Sequence, residues 1–545
     1  MTYPARQPCD EALIRSTEVT SPCARRAQRW VLTATIIASS MAFIDGTVVN
    51  IALPVLQVDF DASVAGVQWV VESYALLLAA LILPGGSFGD RFGRKRVFAF
   101  GTALFALASA WCGLAPSITQ LILARAVQGI GAALMIPMSL AIIGASFPPE
   151  RRGRAIGTWS AFTAMSMAFG PVLGGLLVEY ASWRVVFYIN LPLAAVVGFA
   201  LLRGVPESRA DEPSGPIDWP GTLLATLGLG GIIYGLIESS RLGLGNPVVV
   251  AGLLAGVAAL AAFLLVEKRS RSPLMPLPLF RSTPFSGANG LTLLLYGALS
   301  AVFFFLPFNL LQVQDYSASK TGLSLLPFSV VVFLLSRWSG GLVDRFGARP
   351  PLVVGPLTAG AGMVLLALPG IDGSYWSTFF PGIFVVGLGM AVTAAPLTTS
   401  VLNSVGEAHT GVASGINNAI SRVGALLTIA LFGIVILQFF TGALRENLAA
   451  LQVSEETVRR VMLERTQLAA LEIDVDSGPV DRDALRQAVA SAFVAGFRWV
   501  MLICAGLAVT SAAIAWIAFR GERRSAVPVG RRRGHDPQKI RLAID

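Results

Sequence analysis

The chain has 545 residues, 54% of them hydrophobic and 13% charged, about half the charge of an ordinary soluble domain, with a mean hydropathy of +0.68; a soluble globular protein is excluded. The formal charge of +9 does not point to nucleic acid, because the arginines cluster between apolar runs, as membrane topology requires. Four cysteines (Cys9, Cys23, Cys112, Cys504) and two histidines (His409, His535) are too scattered for a metal centre, a redox pair or a triad, so neither cofactor, metal nor enzymatic activity is expected.

Apolar runs long enough to cross a ~30 Å hydrocarbon core recur along the chain. A polar arm, 1–29, ends in Arg25, Arg26 and Arg29, and the first span follows near 30–52, carrying Asp45, Thr47 and Asn50, with Pro54 beyond. The run to Ala42 also fits a cleaved signal peptide; the polar residues after it favour an uncleaved helix. The second span, near 67–88, holds Trp69, Glu72 and Tyr74; the third lies near 97–115. The fourth, near 119–144, holds Arg125 and Gln128, and the fifth and sixth lie near 154–178 and 185–203. A segment at 204–266 inserts two more, near 219–238 and 247–266. Six follow near 285–311, 320–343, 351–368, 376–400, 411–438 and 495–519, and a basic tail occupies 520–545. The expected fold is all-α and integral to the membrane: six-helix bundles at 30–203 and 267–519, with two linker helices between them.

Short connections divide by charge. "GDRFGRKR", "PPERRGRA", the segment 267–281, the arm and the tail are rich in Lys and Arg, and the alternate loops are poor. Both termini are therefore expected in the cytoplasm. Residues 439–493 break the pattern with six arginines balanced by acids. Their stretch 446–471 has helical spacing, so an external helical cap is expected, with a solvated spacer as the plainer reading and any periplasmic partner unknown.

The chain also echoes itself. Gly86, Asp90, Arg91, Phe92 and Gly93 recur as Gly340, Asp344, Arg345, Phe346 and Gly347 at a constant offset of 254, the mark of a duplicated transporter half. With "LILARAVQGIGAA", "GTWSAFTAMSMAFGPVLGG" and "IDGTVVNIALP", the sequence resembles the major facilitator superfamily, and within it the fourteen-span drug:proton antiporter branch. Ser166 departs from that pattern, which has glycine there. The resemblance implies that Asp90, with Arg91 and Arg94, latches one conformation and must let go for the other, and that Asp344 and Arg345 form a weaker copy. Topology setting by the basic residues explains the same loop. It also implies that Gly157, Gly170, Pro171, Gly174 and Gly175 serve antiport; ordinary close helix packing explains them too.

A charge at mid-membrane costs about 2.5–3.5 kcal/mol on insertion scales and marks a polar cavity or a partner. Asp45, Glu72 and Arg125 are the expected proton-coupling residues, with Arg125 placed beside Asp45 by the resemblance. Glu72 between Trp69 and Tyr74 also resembles a seat for an organic cation. Arg337 and Arg422 lie nearer the basic ends, where snorkelling explains them. Thr47, Asn50, Trp69, Tyr74, Gln128, Asn289, Asn309 and Gln312 are the cavity candidates; Phe303, Phe304 and Phe305 read as core or lipid contacts. The chain has no GxxxxGK[ST] loop, so the expected driver is the proton gradient. The expected protein is a monomeric proton-coupled exporter of amphipathic, cationic or neutral small molecules, a multidrug efflux pump of a bacterial-type inner membrane that binds no nucleic acid. The alternatives are an exporter of one metabolite or lipid, and a non-transporting membrane sensor.

Overall fold

Fourteen helices long and apolar enough to cross a bilayer lie among the residues that the computed structural model describes, which are 22–209, 218–270, 273–405, 410–471 and 482–520. No strand occurs among them. The first half contains α1 (Pro22–Asp59), α2 (Val64–Phe92), α3 (Arg94–Leu114), α4 (Ile118–Ser146), α5 (Pro149–Tyr180) and α6, which runs as Val185–Tyr188 and Asn190–Gly204. The inserted pair is α7 (Trp219–Leu242) and α8 (Pro247–Arg269). In the second half α9 (Thr283–Phe308) ends in a π turn, Asn309–Val313, and α10 runs as Ala318–Ser324 and Leu326–Ser339. Then come α11 (Arg349–Ala367), α12 (Phe379–Asn403), α13 (Thr410–Ala450) and α14 (Arg482–Ala518). Polar side chains start many of these helices: Ser63, Ser117, Asp218, Asn246, Ser282 and Ser317 each accept a hydrogen bond from a first-turn amide.

Within the first half α1 packs on α5 and α6, and α4 on α2 and α3; within the second, α11 packs on α12 and α14, and α9 on α13 and α14. The inserted helices pack on each other, and α7 also lies against α2 and α13. The arrangement is six plus two plus six.

The arm up to residue 21, residues 210–217, the two histidines, Cys9, the tail beyond Arg520 and the side chains of Cys23 and Arg337 lie outside the description. The expected loop at 439–493 is shorter than the hydropathy implied. α13 runs on to Ala450 and α14 begins at Arg482. The extensions are amphipathic: Phe440, Leu444 and Leu448 are buried, as are Leu485, Val489 and Phe493. Their charges end the hydropathy signal while the helical period goes on, and α13 reaches about 60 Å at 1.5 Å per residue. A helix, Glu455–Leu463, and a 3-10 turn, Arg465–Ala470, follow it, and Val461 and Leu468 are buried.

The two halves meet at one end and part toward the other, which carries the α2–α3 and α4–α5 turns and is called the basic end below. Away from it Gly175 of α5 lies on the backbone of Ala318, and Gly322 of α10 on the backbone of Pro171, so close that a Cβ on either would overlap a carbonyl oxygen. Along the same face of α5 toward the basic end, Ala168 is half-buried, and Ala164, Ala161 and Gly157 are exposed. Gly157, an expected packing residue, is exposed and has nothing within 4 Å of its Cβ position, so it packs no helix in this state.

Overpacking at a backbone contact costs about 1–3 kcal/mol. Gly175→Ala and Gly322→Ala are therefore expected to shift the resting population away from this state. Maleimide labelling of cysteines placed at Gly157 and Ala161 should fall; unchanged labelling would mean that the glycine contacts do not hold the closed end.

Candidate functional site

Four helices of the first half bring a buried polar island together. α1 presents Asp45, α4 presents Arg125 and, one turn on, Gln128, α3 presents Ser109, and α6 presents Asn190. Arg125 Nη1 donates to Asp45 Oδ2 at 2.5 Å and to Gln128 Oε1 at 2.6 Å. Gln128 Nε2 and Asn190 Nδ2 both donate to Asp45 Oδ1, at 2.9 and 3.4 Å. Arg125 Nε donates to the carbonyl of Val70 at 3.1 Å, and the Tyr74 ring lies 4.1 Å from the guanidinium carbon. Asn190 Nδ2 also donates to Ser109 Oγ, whose hydroxyl donates to Phe187 O. Asp45 and Arg125 are each 1% exposed. Every contact of the carboxylate comes from a donor, which suits its ionised form. Gly46, the next residue on α1, is exposed with open space over it.

Glu72 does not join it. It is fully buried and neither carboxylate oxygen has a hydrogen-bond partner. Nor do its aromatic neighbours make a cation seat. Trp69 donates its indole NH to Glu238 of α7 at 3.2 Å, and Tyr74 is taken up by Arg125. The helical period explains this: positions 69, 72 and 74 point three ways.

The other cavity candidates scatter. Thr47 donates to carbonyls of its own helix and packs against Gly170, while Gly174 sits against Val48. Asn50 is half-buried. Asn289 belongs to a second-half cluster in which Asn417 Nδ2 donates to Asn289 Oδ1 and Thr292 Oγ1. Gln314 donates to Asn309. Gln312 donates to Gln57 Oε1 at 3.1 Å and sits at the closed end. Phe304 and Phe305 are core residues and Phe303 packs on Phe328.

At the basic end Asp90 pairs with Arg94 at 2.8 Å, across Gly93, whose φ of 105° needs glycine. Sequence reasoning missed Glu207, just past α6. It accepts from the Lys95 amide at 2.9 Å, and the Arg94 amide donates to Ser208 O, so the segment after α6 is laced onto the α2–α3 turn. Arg91 is exposed, as are Asp344 and Arg345 in the second copy. The acid at the end of the sixth span in "GVPES" was the signal available. The closed end was missed as well: Gln57 Nε2 donates to Gln467 O at 2.9 Å, and Gln467 Nε2 to Asp61 Oδ1 at 2.6 Å, so the cap helix region grips the tips of α1 and α2. The departure at Ser166 gains a contact, since its hydroxyl donates to Ser40 Oγ of α1 at 2.8 Å.

Residues 35–429 match the family model described as Major Facilitator Superfamily. The "Multidrug resistance protein Stp" of Mycobacterium tuberculosis is 36% identical over 440 residues, 81% of each chain. The "Tetracenomycin C resistance and export protein" of Streptomyces glaucescens is 31% identical over 513 residues, covering 92% of this chain and 94% of that protein. Among solved structures, a bacterial homolog of the human lysosomal transporter Spinster, captured inward-facing and unoccupied, superposes with a TM-score of 0.64 at 21% identity, over 91% of this chain and 97% of that one.

Removing one partner of a buried ion pair costs about 3–5 kcal/mol, because the survivor keeps its charge without compensation. Asp45→Asn and Arg125→Gln should each lower thermal stability by that order in detergent, and the double variant should recover most of the loss. A double variant as unstable as the sum of the singles would mean that the two side chains do not act as a pair. Ser166→Gly should cost about 0.5–1.5 kcal/mol through the lost Ser40 bond, measured by the same unfolding assay.

Proposed function

This chain belongs to the major facilitator superfamily, and on that premise we propose that it is a proton-coupled exporter of amphipathic small molecules, acting in multidrug efflux by alternating access. It is a multi-pass membrane protein. Its place in this reading is a bacterial-type inner membrane, with the basic end and both termini in the cytoplasm, and it works as a monomer with protons and a small-molecule substrate as its partners. The open cleft then faces inward.

The observation that carries the reading is the Asp45–Arg125 pair. A proton on Asp45 removes its charge and turns one oxygen into a donor, so the bond from Arg125 loses its ionic character and at most a neutral carbonyl oxygen is left to accept it. The guanidinium keeps Gln128 and Val70 as acceptors but loses its counter-charge in a buried place. Protonation therefore weakens the pairing. The consequence travels along α1, because Thr47 and Val48 sit on Gly170 and Gly174 of α5, and α5 meets the other half through Gly175 and Pro171. Glu72 is the second coupling candidate, since its buried carboxylate has no fixed partner. The proton gradient supplies the work, its electrical part about 2.3 kcal/mol per charge per 100 mV. The relatives' names support export over uptake. A narrower reading, export of one compound, is favoured by the tetracenomycin relative, which covers 92% of this chain.

The test uses proteoliposomes with an imposed pH gradient and a panel of dyes and antibiotics. Wild type should release protons on adding a substrate, and Asp45→Asn, still folded, should not. Coupling that survives in Asp45→Asn moves the role to Glu72. A response to a single compound in the panel would establish the narrower reading.

A further inference from the structure

Four charged side chains lie at the middle depth of the described spans: Asp45, Glu72, Arg125 and Arg422. Three are sealed, with exposures of 1%, 0% and 1%. Arg422 alone is partly open, and its Nε is buried without an acceptor. It makes no hydrogen bond or ion pair with any described residue. A guanidinium drawn out of water with nothing to bind is costly, and Arg422 is too deep in α13 for snorkelling to explain it: twelve residues past Thr410 is about 18 Å of helix.

Its direction follows from helical spacing. Asn418, Arg422, Ile429 and Gly433 share one face of α13. Gln68 of α2 donates to the Ile429 carbonyl at 2.7 Å, and its amide lies over Gly433, so this face looks at the first half. Exposure along it grows toward the basic end: Ile429 is 6% exposed, Arg422 half-buried and Asn418 open. Arg422 therefore sits about 10 Å, two turns, toward the basic end from Ile429, one turn past the buried Leu426. Among the described residues at that depth, Arg422 is the one partly open charge, while the acids Asp45 and Glu72 are sealed.

We propose that Arg422, with Asn418 one turn nearer the basic end, is the charge-recognition point of the cleft, and that the preferred cargo is amphipathic and carries an anionic group. A carboxylate, sulfonate or phenolate fits the planar guanidinium fork, which offers up to five N–H donors. An organic cation would meet like charge there and would find no reachable carboxylate at Asp45 or Glu72. The proposal deepens the transporter reading and rests on it for the word cargo, but recognition itself is an equilibrium property of the cleft.

Binding to the full-length chain in nanodiscs tests it without any gradient, so a failure of proton coupling and a failure of recognition remain distinct. The probes are 8-anilinonaphthalene-1-sulfonate as the anion, N-phenyl-1-naphthylamine as its neutral analogue and ethidium as the cation. The sulfonate should bind wild type at least about tenfold more tightly than the neutral analogue. Arg422→Gln should erase that preference and Arg422→Lys keep part of it, with neutral-probe binding unchanged in both as the sign of an intact cleft. Equal sulfonate affinity in wild type and Arg422→Gln, or ethidium as the tightest ligand, overturns the proposal. So does an Arg422→Gln variant that keeps sulfonate binding but alters maleimide access at Gly157, which would make Arg422 the partner of Glu72 in the other conformation.

Discussion

An arginine and an aspartate buried together in a membrane interior set the terms for the first half of this molecule. Neither charge is tolerable there alone, and their mutual attraction offsets the desolvation only because amides from Gln128 and Asn190 and the carbonyl of Val70 complete the geometry. Since those groups come from α1, α2, α4 and α6, satisfying one carboxylate fixes four helices relative to one another. On the proposed mechanism a proton at Asp45 would weaken that pairing, so the structural pair and the coupling group would be the same atoms.

The seam between the halves is built differently. Among the described residues no ion pair crosses it. The links are amides, backbone groups and one exposed carboxylate: Gln68 to Ile429, Gln57 to Gln467, Gln312 to Gln57, and the Ser319 amide to Glu179 at 2.8 Å. Around them small residues bring α5 and α10 into backbone contact. Dispersion over such surfaces is collectively large, yet it vanishes within an ångström or so of separation. It therefore holds one end firmly without stiffening the other.

The fold was legible because its signals are long and redundant. Spans of about twenty apolar residues, a charge census of the loops and the repeated turn at Asp90 and Asp344 all point to one architecture. That Asp45 and Arg125 need partners was legible from buried charges in two spans; that they partner each other came from the family resemblance. What failed was direction around the helix. Trp69, Glu72 and Tyr74 are near in sequence, but a helix turns 100° per residue and sends them to α7, to an interior without partners and to Arg125. The cap failed for another reason: charges on the outer turns of α13 and α14 lower hydropathy while the buried stripe through Phe440, Leu444 and Leu448 continues. Glu207 and Gln467 were invisible because their partners lie more than a hundred residues away.

The contrast between island and seam makes alternation affordable in physical terms. Moving the halves asks for no buried charge to be stripped of its partner. At the closed end each amide that lets go can bind water, so the net loss per bond is about 0.5–1.5 kcal/mol. In the proposed alternation, the exposed small residues Gly157, Ala161 and Ala164 of α5 would restore close packing at the other end. What the seam loses on one side it can regain on the other, leaving a small difference between large terms. On the proposed alternating access, only such a small difference could be tipped by one proton or one ligand; had the halves been joined by buried ion pairs, each costing about 3–5 kcal/mol to break, neither could move them.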